Sequence, residues 1–323
     1  MNNKNVFVTG ASGFIGKYLI ANLLNENITV YALTRRDKID LASDGRIEII
    51  EGDIAGKIDL PNGIKTIYHC AGVIYKKEDT DRVNIVGTKR MVEEALKRDC
   101  RLIHLSSAGV VGKYKGNFID EDLECQPQTL YELTKFEAER VVRNGINRGL
   151  KAQILRPTIV FGIGRDPVKD SFLQLLKFMK SGLYKNIGDG SGIYNIIHAN
   201  EVARAMRALD DDTIPNGGIY FINNPVTFRD MYKIVQAEMA KKNDGLSHIP
   251  YLLAFGLTAV FSAISLITGK RMPLTFSRLK ALTNKKVFSQ NRLLEMTSYH
   301  PLLKVEDYIK QVCKEYTEKG LLN

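Results

Sequence analysis

Thr9-Gly10-Ala11-Ser12-Gly13-Phe14-Ile15-Gly16 follows a short β-rich run at 5–9 and precedes a helical pattern at 14–25. The glycines at 10, 13 and 16 let the backbone turn sharply and approach a bound group closely. A strand that delivers the chain into such a turn, with a helix opening straight after it, aims unpaired N–H groups and the positive end of a helix dipole at one place. A pyrophosphate fits there. The spacing is Gly-x-x-Gly-x-x-Gly rather than Gly-x-Gly-x-x-Gly, and its position after the first strand is what makes it more than a glycine-rich loop.

Outward from this turn, β-rich runs at 28–34, 47–50, 67–71, 101–106 and 153–160 alternate with helical patterns at 84–97 and 131–144. That rhythm predicts an α/β fold, a Rossmann-type doubly wound parallel sheet with helices on both faces. After Gly162 the rhythm loosens into helices at 172–180 and 201–209, one more strand at 218–222, and helices and loops only from Phe228. The expectation is a dinucleotide-binding domain at 1–162, to which 188–222 returns, and a smaller, mainly helical substrate lobe at 163–323.

The second run ends Thr34-Arg35-Arg36, where NAD-binding folds place an acid for the ribose 2′-hydroxyl. Arg35 and Arg36 suit a 2′-phosphate instead, so NADP(H) is the favoured cofactor and NAD(H) the alternative. Asp53, after the third run, is either an acceptor for the adenine amino group or a turn residue. Tyr131 and Lys135 lie one helical turn apart on one face, 24 residues after Ser106-Ser107. A phenol titrates near 10, and a neighbouring ammonium favours its ionised form, so Tyr131 is a candidate acid/base. Lys135 would also reach the nicotinamide ribose, and Ser107 would hydrogen-bond the substrate oxygen. His69, His104 and His198 read as packed side chains.

These residues resemble those of extended short-chain dehydrogenases/reductases, the sugar epimerase/dehydratase and 3β-hydroxysteroid dehydrogenase type, over nearly the whole chain. Thr9 to Gly16 matches that family's Thr-Gly-x-x-Gly-Phe-Ile-Gly signature. His69-Cys70-Ala71-Gly72, Asn84, Gly87 and Thr88, Ser106 to Gly112, Tyr131 to Lys135 and Arg156-Pro157 to Gly162 resemble its later segments. The resemblance implies catalysis by Ser107, Tyr131 and Lys135. It implies cofactor contacts at Gly10, Ser12, Gly13, Phe14, Ile15, Gly16, Asp53, Ile54, Ala71, Gly72 and Pro157, besides Arg35, Arg36, Tyr131 and Lys135. The expected activity is NAD(P)-dependent oxidoreduction or 4-epimerisation of a nucleotide-sugar. A sterol or lipid-alcohol dehydrogenase and a non-enzymatic NADP(H) sensor are the alternatives. Tyr194, ahead of Asn195-Ile196-Ile197-His198, stands where nucleotide-sugar members often carry an arginine.

The 323 residues, 44% hydrophobic and 25% charged, are ample for a large core. A net charge of +10 suits an anionic small molecule or membrane face. There is no basic arm or aromatic ladder for nucleic acid. Four scattered cysteines and five histidines show no metal-ligand spacing and suggest reduced thiols. The early first strand leaves no room for a signal peptide, so the expected location is cytoplasmic. The uncharged stretch 249–268 admits three readings: a buried or amphipathic helix, a peripheral membrane contact with the cations that follow up to residue 286, or a span. Family analogy suggests a homodimer through the helices near 90 and 135.

Overall fold

The computed structural model describes residues 4–26, 28–35, 44–74, 77–164, 166–239, 248–268 and 274–322. Arg36 lies outside these, as do Lys270 and Arg271, two of the cations that follow the uncharged stretch. The main sheet holds β1 (Lys4–Thr9), β2 (Ile28–Thr34), β3 (Ile47–Glu51), β4 (Ile64–His69), β5 (Arg101–Leu105), β6 (Ala152–Pro157) and β7 (Ile219–Ile222). The helices of interest are α1 (Phe14–Leu23), α2 (Gly87–Arg98), α3 (Leu130–Ile146), α4 (Ser171–Lys180), α5 (Ala199–Ala208), α6 (Phe228–Glu238), α7 (Tyr251–Thr268), α8 (Phe276–Leu282) and α9 (Val305–Glu318).

Two compact units result. The first comprises 1–160, 197–223 and 288–301; the second comprises 161–196, 224–287 and 302–323. In the first unit the strand order is β7-β6-β5-β4-β1-β2-β3, parallel throughout. Every residue of β5 and β6 is buried, as a sheet covered on both faces requires. The two-residue alternation of a strand sorts the core into two layers. Val6 and Val8 of β1 pack with Leu19 and Ile20 of α1 and Val202 and Met206 of α5. Phe7, between them, packs with Met91 and Val92 of α2 and Val142 of α3. The order reverses between β1 and β4, so the loops after their C-terminal ends flank the crevice where ligands bind in such sheets.

The glycines explain how the turn after β1 fits. Gly10 has φ +66°, and a Cβ on it would stand 2.8 Å from the backbone nitrogen of Ala71. A Cβ on Gly16 would stand 2.2 Å from the carbonyl oxygen of Gly10. The turn is therefore wedged between the first turn of α1 and the chain leaving β4.

The second unit is built around Phe161, Phe172 and Leu176 of α4, Met231 and Val235 of α6, and Tyr308 and Ile309 of α9. Asp170 caps α4 by accepting from the amides of Phe172 and Leu173. The sequence leads one to expect only helices and loops after Phe228. The structure adds a short strand, His248–Ile249, paired in parallel with Asn186–Ile187. The uncharged stretch becomes α7. No helix among the described residues is long and apolar enough to cross a membrane. Neither is α7 a buried helix: Leu252, Leu253 and Val260 are all more than half exposed.

Adding one methyl at Gly16 forces the Gly10 carbonyl and α1 apart. Gly16→Ala is expected to cost about 2 kcal/mol of stability, the range for overpacking a tight interior. Chemical denaturation checks this; a midpoint equal to the parent's would show that the wedge has slack.

Candidate active site

The three residues expected to be catalytic, Ser107, Tyr131 and Lys135, lie in the first unit, just past the C-terminal end of β5 and on α3. α3 is started by a capping box. Thr129 Oγ1 accepts from the amide of Glu132 at 3.3 Å, and the Glu132 carboxylate accepts from the amide of Thr129 at 3.0 Å. This fixes the helical phase of Tyr131, half-buried in the first turn, and of Lys135, one turn on, whose amine reaches the end of β5.

Lys135 is 4% exposed, and its Nζ donates to the carbonyl oxygen of Leu105, the last residue of β5, at 2.6 Å. Burial pulls the amine down from its ordinary value to about 8, opposed by the nearby Glu139 carboxylate. It remains largely a cation at pH 7. The same Nζ lies 3.6 Å from the point where a Cβ on Gly72 would stand. The amine is thus continuous with the chain leaving β4, and that chain backs the Gly10 turn.

Ser107 lies two residues past the end of β5 and caps a short 3₁₀ turn, Ala108–Val111, its Oγ accepting from the amide of Gly109 at 3.1 Å. That bond uses a lone pair and leaves the hydroxyl proton to donate elsewhere. A Cβ on Gly109 would stand 3.3 Å from both Ser107 Oγ and the Glu132 side chain. Ser107 therefore lies against the first turn of α3.

Asn84 was read in the sequence only as part of a helix and of the family resemblance. It sits in a π-helical turn, Arg82–Val86, that runs into α2. Its amide clamps the chain after β4, accepting from the amide of Val73 at 2.9 Å and donating to the Val73 carbonyl at 3.1 Å. It also donates to Thr134 of α3 at 3.0 Å.

Beneath the turn runs a chain of bonds whose direction can be worked out. Thr88 Oγ1 donates to the carbonyl of Asn84, so it accepts from His69 Nε2 at 2.9 Å. His69 Nδ1 then accepts from Thr9 Oγ1 at 2.7 Å, and Thr9 Oγ1 accepts from the amide of Ala71 at 3.2 Å. Each group is satisfied when His69 is neutral with its proton on Nε2. Burial holds His69 at about 3. His104 lies alongside, ring centroids 5.2 Å apart, and both its nitrogens are buried without a hydrogen-bond partner among the described residues. Burial, with the charge of Lys135, holds it well below the ordinary histidine value.

The remaining predicted contacts divide by exposure. Ser12, Gly13 and Gly72 are exposed, Phe14, Ile15 and Ala71 half-buried, and Pro157 buried at the end of β6. Gly13 begins α1 with no side chain capping it, and the first turn of that helix carries no acid. Ile54 is core: it is 5% exposed, and a Cβ on Gly87 would stand 2.9 Å from its side chain. Any contact from Ile54 to a cofactor is left to its backbone. Thr34 is buried and Arg35 exposed. Asp53 accepts from the amide of Ala55 at 2.9 Å and from Arg82 at 2.5 Å. These bonds, with the nearby charge of Arg35, hold its carboxyl below the ordinary value.

The sequence reading also missed a buried cluster behind the site. Glu139, one turn beyond Lys135, takes both Arg156 Nε (2.8 Å) and an Arg156 terminal nitrogen (2.6 Å), and Ser106 donates to it at 2.6 Å. The available signal was the i, i+4 spacing of Lys135 and Glu139 on a helix.

The sequence model of the NAD dependent epimerase/dehydratase family matches residues 6–222. The chain belongs to the NAD dependent epimerase/dehydratase family. It is 26% identical over 337 aligned residues to the sterol-4-alpha-carboxylate 3-dehydrogenase, decarboxylating, of Mus musculus, covering 97% of this chain and 91% of that one. It is 25% identical to the N-acetyl-alpha-D-glucosaminyl-diphospho-ditrans,octacis-undecaprenol 4-epimerase of Escherichia coli O157:H7, covering 86% and 85%. Among solved structures, the UDP-glucuronic acid 4-epimerase of Bacillus cereus in complex with NAD superposes with a TM-score of 0.74 at 20% identity, covering 99% and 100%. That likeness establishes the fold. Membership places the chain among NAD-dependent enzymes of the extended short-chain dehydrogenase/reductase type.

His104 supplies a test of the interior beneath the turn. In the unfolded chain a histidine takes up a proton as pH falls through about 6.5, whereas the buried one does not. Folding stability is therefore lost as pH drops below 6.5. Replacing His104 by Leu removes that loss and an unpartnered polar ring together. His104→Leu is expected to be close to the parent, or somewhat more stable, at pH 7.5, and to gain on it at pH 5 by about 2 kcal/mol, at about 1.4 kcal/mol for each pH unit below 6.5. Urea titrations at both pH values measure the difference; the same difference at both would contradict the assignment.

Proposed function

We propose that the chain catalyses NAD(P)-dependent oxidation and reduction at a secondary alcohol or ketone of a nucleotide-linked sugar, by 4-keto reduction or 4-epimerisation. One observation carries this reading: a buried amine held at the end of β5, one helical turn from Tyr131, with Ser107 following the same strand. A cofactor fits the chain's own groups. The uncapped start of α1 over a glycine turn suits a pyrophosphate, and the Gly72 backbone beside the Lys135 amine suits a close approach by the nicotinamide half. Bound there, NAD(P) gives or takes the hydride.

Tyr131 passes a proton to or from the substrate oxygen, and the Lys135 ammonium stabilises the negative charge that develops on the phenol oxygen. Ser107, its lone pair engaged by Gly109, donates its hydroxyl proton to the same substrate oxygen. We also propose NADP(H) as the preferred form, because Arg35 is the first exposed side chain after β2 and no acid stands at that strand's end. The second unit, on this reading, binds the substrate, and α2 and α3 pair with a second copy.

The sugar reading draws on the +10 net charge, which suits a diphosphate, and on the Escherichia coli relative, an epimerase by name. A second reading, a sterol or similar lipid alcohol, is favoured by the murine relative aligned over 97% of this chain and by the aromatic Tyr194, which stacks on Phe228 where an arginine would suit a pyrophosphate.

Tyr131→Phe is expected to lower turnover about 10²- to 10⁴-fold while NAD(P) binding is kept. Turnover within a few-fold of the parent would reject the assignment. UDP or dTDP at about 100 times its dissociation constant should raise stability by about 2.7 kcal/mol. A melting curve unmoved by either nucleotide points to the lipid alcohol.

A further inference from the structure

A helix that packs on a globular core turns its large apolar side chains inward and its polar ones outward. α7 is arranged the other way. Ala254, packed with Leu279 of α8 and with Ile187, and Thr258, four residues on, are both fully buried and form one narrow stripe. The large side chains stand outside it: Leu252 is 83% exposed, Leu253 57% and Val260 55%. Two of its hydroxyls turn back onto the helix. Thr258 donates to the carbonyl of Ala254 at 2.7 Å, and Ser262 donates to that of Thr258 at 2.8 Å. α8 continues the apolar face with Phe276, whose ring lies 5.5 Å from that of Phe255. Single exposed leucines are ordinary, but a contiguous set on one helix marks a contact surface.

The charge around this face is one-sided. Among the described residues from His248 to Val287 there is no Asp or Glu, and there are four cations, Arg278, Lys280, Lys285 and Lys286. Of these, Arg278, Lys280 and Lys285 are exposed. Lys285 also contacts Ser191 and acts on Asp189 through its charge.

We propose that the α7–α8 face docks on the surface of an anionic phospholipid bilayer. The apolar side chains enter the boundary between headgroups and acyl chains, and the cations meet the headgroup charge. The helix lies on the membrane rather than crossing it. Charge decides against a second copy as the occupant. An isologous contact would bring two acid-free cationic segments together, with like charges facing across the axis. The proposal holds for a sugar or a sterol substrate alike.

The test is co-sedimentation of the full chain with vesicles of phosphatidylcholine alone and of phosphatidylcholine mixed with phosphatidylglycerol. The expected result is binding to the mixed vesicles that weakens as salt is raised, and little binding to phosphatidylcholine. A Leu253→Glu/Val260→Glu variant, altered on one exposed face, should bind at least tenfold more weakly with its melting midpoint kept. If that variant does not fold, Lys280→Glu/Lys285→Glu should lose the salt-sensitive part of the binding. Recovery of the parent in the supernatant with both vesicle types overturns the proposal. So does sedimentation velocity showing a parent dimer that the first variant dissociates, because the face would then belong to a second copy.

Discussion

A positive charge held inside the protein is the constraint around which the first unit is arranged. The amine of Lys135 is buried, donates to the carbonyl of Leu105, and is brought down to about 8 by the loss of water around it. Burying an ammonium is costly unless it has partners and a compensating charge nearby. Here the partner is a strand-end carbonyl, and the compensating charge is Glu139, one turn along α3 and itself tied to Arg156 and Ser106. The arrangement keeps a cation available close to Tyr131 without a carboxylate in direct contact with it.

The same economy of space governs the cofactor side. The glycine turn is not merely flexible. Its three glycines are needed because backbone fills the places where side chains would go: the chain leaving β4 at Gly10, and the turn's own Gly10 carbonyl at Gly13 and Gly16. His69 ties the last residue of β1 to α2 through Thr9 and Thr88, and Asn84 ties the chain after β4 to α3. These uncharged bonds hold three loop starts in register at the sheet's crevice. They leave the charged groups free to act on whatever binds above.

Much of this was legible in the sequence, for physical reasons. β2 runs over 28–34, as the run of β-branched and aromatic residues implies, and the alternation of strands and helices gave the parallel sheet. Local patterns report such elements well. What they do not report are contacts made across the chain. The π turn at Arg82–Val86 reads as ordinary helix, because its extra residue leaves the periodicity nearly unchanged. The Glu139–Arg156 pair joins a helix to a strand 17 residues on. Ile54 sits beside a glycine whose role is packing, so its resemblance to a contact residue is in part a resemblance of core. The return of 288–301 to the first unit has no local signature. α7 is ambiguous for the opposite reason: an uncharged run fits a buried or amphipathic helix, a membrane contact or a span alike, and only the fold shows Ala254 and Thr258 buried with Leu252, Leu253 and Val260 exposed.

The charge state of the Lys135 amine can be read without substrate or cofactor. Protein labelled with ¹³C at lysine Cε and titrated by NMR, with Lys135→Met to assign the resonance, should show one lysine changing charge near pH 8. If the resonance lost in Lys135→Met instead titrates with the bulk of the lysines near 10.4, the amine is not buried as described and the arrangement around it does not hold.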